Sequence, residues 1–243
     1  MIVGPVSSSV PAQNPSPECA DVRDHFELLE ATLRGESTER PPVALWRHWP
    51  EADQSPKGLA GATVAWQAAY DFDLVKFMPS GTYGVEDWGA RTAYVPTIYG
   101  NRTIVEYAVK HPDDWARLKH LDPSTGSLGK QNDALAMSAR LLDGSVPILQ
   151  TVFSPLTTAL KLAGETLWQH LRDAPDAVLA GLETIASVTL AFGRQALAAG
   201  ASGFFFADQT SNTSLLGETD FERFSAGVDI ALLQDLAPRS RFT

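Results

Sequence analysis

Leu33-Arg34-Gly35-Glu36, continued after a short polar loop by Arg40-Pro41-Pro42-Val43-Ala44-Leu45-Trp46-Arg47, is the stretch that decides the fold. A helix-forming run stops at Gly35, which supplies the C-terminal break. Two prolines then launch an apolar strand over residues 43–48, a position where proline costs no ladder donor. The strand closes on Arg47, and strand C-terminal ends are where α/β barrels gather their substrate-binding groups.

Upstream, Val22, Phe26, Leu29 and Leu33 recur at helical spacing. Residues 1–20, rich in Ser, Pro and small side chains, read as a disordered leader, which leaves residues 21–243 as the folded domain. Downstream, helix 58–70 precedes a second strand at 72–78, closed by Pro79-Ser80-Gly81. Residues 82–146 are the least regular part and read as an excursion above the sheet. It contains a helix start at Pro112-Asp113-Asp114-Trp115 and a helix over 131–142. A third strand spans 146–153. Helices follow at 156–163 and 165–172, then a long one at 176–199 with Val178, Leu182, Ile185, Val188 and Phe192 on one stripe. A fourth strand at 203–207 and a final helix at 221–236 complete the order. Strands alternating with helices, each strand a continuous apolar run, predict a parallel sheet covered on both faces. Four strands are half the number that closes a (β/α)8 barrel. The expected architecture is therefore a barrel of this type, C-terminally truncated to about four βα units.

The chain has 243 residues, 44% hydrophobic and 20% charged, with a formal net charge of -10 and a pI near 4.9. That balance argues against a nucleic-acid surface, which needs a basic footprint, and against an anionic membrane face. It leaves room for an anionic small molecule, because a few local cations can reverse the field inside one cleft. Cys19 is the only cysteine, so neither an internal disulfide nor a cysteine-based zinc cluster is expected, and the compartment read from this is the reducing cytoplasm. No run of about 18 apolar residues predicts a membrane span, and the first ten residues lack the basic start of a signal peptide.

The helix ending in Leu-x-Gly, the Arg-Pro-Pro-Val strand start and Arg47 together resemble the start of the uroporphyrinogen decarboxylase family. Phe72 to Gly81, Phe153-Ser154-Pro155-Leu156-Thr157 and Gly200 to Gln209 are similar to the family's second strand, the turn after its third and its fourth strand, in that order. The resemblance implies a barrel enzyme, a lyase of porphyrin biosynthesis that removes carboxyl groups from a tetrapyrrole without a cofactor. It gives Arg47 the role of the first substrate-carboxylate arginine. Other family positions carry different residues. The second arginine falls on Glu51, the key aspartate on Ser80, the tyrosine after the third strand on Lys161, and the serine after the fourth on Gln209. The last four βα units, with a late histidine, have no counterpart. The segment 71–81 is also similar to the family's divergent branch of corrinoid- and thiol-dependent methyltransferases, which implies zinc and a corrinoid instead. A third possibility is an inactive truncated fragment.

Read from their own chemistry, Arg47 and His48 at a strand end suit carboxylates, since a guanidinium fork grips them bidentately. The competing reading is a surface arginine paired with Glu51 or Asp53. Lys76, Met78 and Ser80 share one face of the second strand, and Asp208, Phe206 and Phe204 one face of the fourth. A lysine inside an apolar run needs a partner. A Lys76–Asp208 ion pair or a bond to Gln150 would supply one, as structure or as chemistry. Asp208-Gln209-Thr210-Ser211-Asn212 at the fourth strand's exit is either site lining or an ordinary polar loop. Glu86-Asp87 is either an acid–base pair or a charged turn. His25, His48, His111, His120 and His170 show no ligand spacing, so no metal site is expected. The candidate set is Arg47, Ser80, Lys161 and Gln209 for catalysis, and Arg47, His48, Lys76 and Asp208 for substrate. The expected partner is a small molecule, with self-association through open sheet edges.

Overall fold

The computed structural model describes residues 24–96 and 101–242. The expected leader and Cys19 lie outside them. The first described element is helix α1 (His25–Leu33), capped by Asp24 through the Glu27 amide. Helix α2 (Pro56–Tyr70) starts on a Ser55 cap and Pro56, a position where proline loses no bond. Strand β1 (Val75–Phe77) comes next.

A two-stranded antiparallel ribbon, β2 (Arg91–Tyr94) and β3 (Arg102–Glu106), forms the excursion expected from the irregular region. Helix α3 (Gly126–Leu142) leads into β4 (Ile148–Phe153), and helices α4 (Pro155–Ala163), α5 (Thr166–Asp173) and α6 (Pro175–Ala198) precede β5 (Gly203–Ala207). The expected last helix is broken. Helix α7 (Glu218–Phe221) runs into a π-helical turn over Glu222–Ala226 before α8 (Gly227–Leu236).

The parallel sheet has the order β1-β4-β5. Val75 aligns with Ile148, and Gln150 with Phe204. Among the described residues it has three strands, not the expected four, and it does not close into a barrel. The missing member is the segment 43–48, which is extended but joins no ladder. Its start is clamped: Arg40 grips Asp73 at 2.5 and 2.7 Å, the Val43 amide donates to Asp73, and the Asp73 amide donates to the Val43 carbonyl. Beyond Val43, Trp66 Nε1 donates to the Leu45 carbonyl. At the other edge, Phe242 makes an isolated parallel bridge to Gly203. A Cβ on Gly203 would meet the Phe242 carbonyl oxygen at 1.5 Å, so only glycine admits this approach.

One face of the sheet carries Val75, Phe77, Ile148, Val152 and Phe204 into a core with Leu135, Val188 and Phe192. The stripe predicted on α6 is buried throughout. Contrary to the expectation, this helix is long and apolar enough to cross a membrane, with a mean hydropathy of 1.4. Its packing on β4, α4 and α8 accounts for that composition. The opposite sheet face, by alternation, presents Lys76, Met78, Leu149, Thr151 and Phe205.

Candidate active site

The open sheet face and the exits of β1 and β4 bring three of the predicted residues together: His48, Lys76 and Lys161. Lys76 Nζ lies 3.6 Å from the ring centres of both Trp46 and Phe205. Lys161, on α4, lies 4.4 Å over the Phe153 ring. Neither lysine has a hydrogen bond or ion pair among the described residues. Burial brings each ammonium down to about 8, because a charge in a partly dry site loses hydration. The ring faces act in the opposite direction, each worth about 0.5–2 kcal/mol to the cation.

Burial also lowers the His48 imidazole, the Pro79 carbonyl partly restores it, and the charges of Lys161 and Lys76 depress it further. His48 is thus a neutral ring at neutral pH, and its buried Nδ1 has no partner. The expected Lys76–Asp208 pair is absent, and so is a bond to Gln150, whose amide donates to the Thr151 carbonyl. The register sets Gln150 and Phe204 on the sheet face opposite Lys76, which alternation within each strand alone does not reveal.

Asp208 belongs to a second cluster at the exits of β4 and β5. Its Oδ1 accepts from Ser154 at 3.2 Å, Thr157 at 3.3 Å, and the Thr210 amide and hydroxyl at 2.8 and 2.6 Å. Ser154 is also the cap of α4, bonded by the Thr157 amide, so the helix start and the carboxylate are held by the same hydroxyls. Gln209 is tied by its backbone amide to Thr157, with its side chain exposed. Beside this cluster stands a carboxyl that sequence reading did not find. Asp229 on α8 is buried, raised to about 6 by burial and by the Asp208 charge against a bond from Ser225. Ser225 lies in the π-helical turn, a distortion frequent at functional sites.

Ser80 is buried and bonds Thr82 at 2.9 Å; Thr82 donates to Glu86 at 3.0 Å, as does Thr92. Asp87 takes the Ser127 and Leu128 amides at the start of α3. Glu86 Oε1 and the Asp87 carboxylate thus each accept from protein donors. Arg47 is exposed, stacks 4.5 Å over Trp49, and pairs with neither Glu51 nor Asp53. It and Lys76 line a cavity of about 20 Å³ beneath residues 45–49. That volume holds about one water, so a ligand would lie on the open face above it. Trp46 and Phe205, which flank Lys76, were legible only as apolar positions. The described residues contain no group of three or more His, Cys, Asp or Glu able to hold a metal ion.

A parallel sheet with helices between its strands makes this an α/β protein, with the candidate groups at the strands' C-terminal ends. The uroporphyrinogen decarboxylase (URO-D) profile matches residues 24–237, and the chain belongs to that family. A methyltransferase from Methanosarcina mazei is similar in structure, with a TM-score of 0.74 at 19% identity, covering 90% of this chain and 68% of that one. No curated protein matches in sequence.

Proposed function

We propose that this chain is a carboxy-lyase of the uroporphyrinogen decarboxylase type, acting on a carboxylated tetrapyrrole or a related small molecule. The observation that carries this reading is the pair Lys76 and Lys161. The chain has 29 acidic residues, yet among the described ones none pairs with either lysine. Cations kept from protein acids in a partly dry site are matched to an anion from outside. In this reading Lys76 and Lys161 take the ligand carboxylates, and neutral His48 exchanges the proton. Arg47 adds an exposed charge at the rim. Asp208, fixed by hydroxyls, accepts a ligand N–H. The β1-β4-β5 sheet is then an arc of three of the barrel's eight strands, whose open edges favour self-association.

Ser80, Lys161 and Gln209 stand where the family carries an aspartate, a tyrosine and a serine, so uroporphyrinogen itself is expected to turn over slowly. The test is anaerobic incubation of the purified chain with uroporphyrinogen, resolving products by carboxyl number. Slow loss of carboxyl groups, abolished in Lys161→Met, supports the reading. Failure to bind uroporphyrinogen at all overturns it.

The similarity to the Methanosarcina mazei methyltransferase favours a second reading, corrinoid- or thiol-dependent methyl transfer. That chemistry takes zinc in the family's divergent branch. The described residues offer no donor set for it, so no step is assigned to a metal here. Methyl transfer from a methylated corrinoid to a thiol, assayed with zinc supplied, would favour this second reading over the first.

A further inference from the structure

Lys76 is held unlike an ordinary structural lysine. Among the described residues its nitrogen has no acceptor, and two rings touch it. The Trp46 and Phe205 centres lie 5.7 Å apart with their planes 50° to one another, which makes an open wedge with the amine between them. Lysines gain nucleophilic character when desolvated, and burial desolvates this one. Its ammonium is brought down to about 8 by burial. At pH 7 roughly a tenth of such a group is the free amine, against well under a thousandth for an exposed lysine.

We propose that Lys76 is a covalent catalyst that condenses with the carbonyl carbon of a 3-oxo carboxylate, forming an iminium stabilised by the Trp46 and Phe205 ring faces. The proposal rests on the reading of this face as a carboxylate site and names its substrate class and nucleophile. The amine nitrogen attacks the carbonyl carbon while the carbonyl oxygen takes up two protons from solvent and leaves as water. His48, neutral and with Nδ1 unpartnered, accepts the proton that the nitrogen gives up. The iminium is a cation, and aromatic faces favour cations. It then draws the electron pair of the breaking carbon–carboxylate bond, releasing carbon dioxide and leaving an enamine. The imidazolium returns its proton to carbon, and water hydrolyses the restored iminium to ketone and free lysine. No oxidant, reductant or cofactor is consumed.

The test is incubation of the whole chain with acetoacetate, quenching with borohydride and peptide mapping by mass spectrometry. Lys76 is one of six lysines. It should carry at least tenfold more reduced adduct than any other. Lys76→Arg keeps the cation and should abolish the adduct, and Trp46→Leu should lower its yield severalfold. Ligand-observed NMR with 3-hydroxybutyrate, which has the carboxylate but no carbonyl, reads the anion site separately. Binding of 3-hydroxybutyrate without an adduct at Lys76 overturns the covalent step and leaves the carboxylate reading intact. Absence of both overturns the two together. Adduct spread evenly over the six lysines, or concentrated at Lys161, also overturns the proposal.

Discussion

Replacing Lys161 by Met should stabilise this protein while damaging its site. Lys161 is the more deeply buried of the two unpaired lysines, and burial brings its ammonium from 10.5 to about 8. That difference corresponds to about 3 kcal/mol of penalty on the charged form. The Phe153 ring at 4.4 Å returns part of this, on the order of 0.5–2 kcal/mol. Met keeps the length and the apolar stem without the charge. The net gain expected at pH 7 is about 1–3 kcal/mol, or a rise in Tm of roughly 2–10 °C for a domain of this size. The sign of the shift sets the pH dependence. A lysine whose folded pKa lies below its unfolded one destabilises the fold fully below about 8. The penalty fades as pH rises towards 10.5, where the unfolded chain also loses the proton. The advantage of Lys161→Met should therefore be full at pH 7 and small at pH 10.5. Calorimetric melts of both proteins at the two pH values check this. A lower Tm for Lys161→Met at pH 7, or an advantage that does not change with pH, would refute the description of Lys161 as an unpaired, desolvated cation.

Asp73 should behave in the opposite sense. Burial raises its carboxyl, but Arg40, the Val43 amide and His25 more than offset this and hold it near 2. Its contribution, on the order of 2 kcal/mol, is complete above the unfolded carboxylate pKa of about 4 and is lost as pH falls towards 2. Asp73→Asn should thus lower Tm at pH 7 and flatten the acid limb of a Tm–pH curve. Arg47, exposed over Trp49, should matter little. Exposed charge contacts are worth about 0.2–1 kcal/mol, so Arg47→Ala should weaken binding of a polycarboxylate porphyrin by less than about fivefold in a titration.

The helix–strand alternation was legible because its signals were local. Gly203–Ala207 formed as read because its apolar run is bounded by Gly200 and by Asp208, and α6 formed as read because its stripe repeats over several turns. The segment 43–48 had the same apolar signal and joined no ladder. A strand is completed by its neighbours, and here the Arg40–Asp73 clamp holds the start while little pairs with the residues beyond Val43. The site was legible in part. Lys76, Lys161 and His48 came from strand positions and family spacing, and the structure brings them together. The partner given to Lys76 was not legible, because Asp208 is held by Ser154, Thr157 and Thr210 and not by a cation. Trp46 and Phe205 were legible only as apolar positions, since apolar alternation cannot tell a buried ring from one laid against an ammonium. Asp229 was missed because the break between α7 and α8 that aligns it with Ser225 interrupts a run with ordinary helical spacing.

The central claim is that Lys76 and Lys161 are held for an outside carboxylate. Titration calorimetry of the whole chain with a polycarboxylate porphyrin tests it most directly, comparing the wild type with the Lys76→Met/Lys161→Met double variant after both are shown to melt cooperatively. Two charge-assisted contacts, each worth about 1.5–3 kcal/mol, predict an affinity loss of at least a hundredfold in the double variant. Equal affinity in the two proteins would contradict the claim.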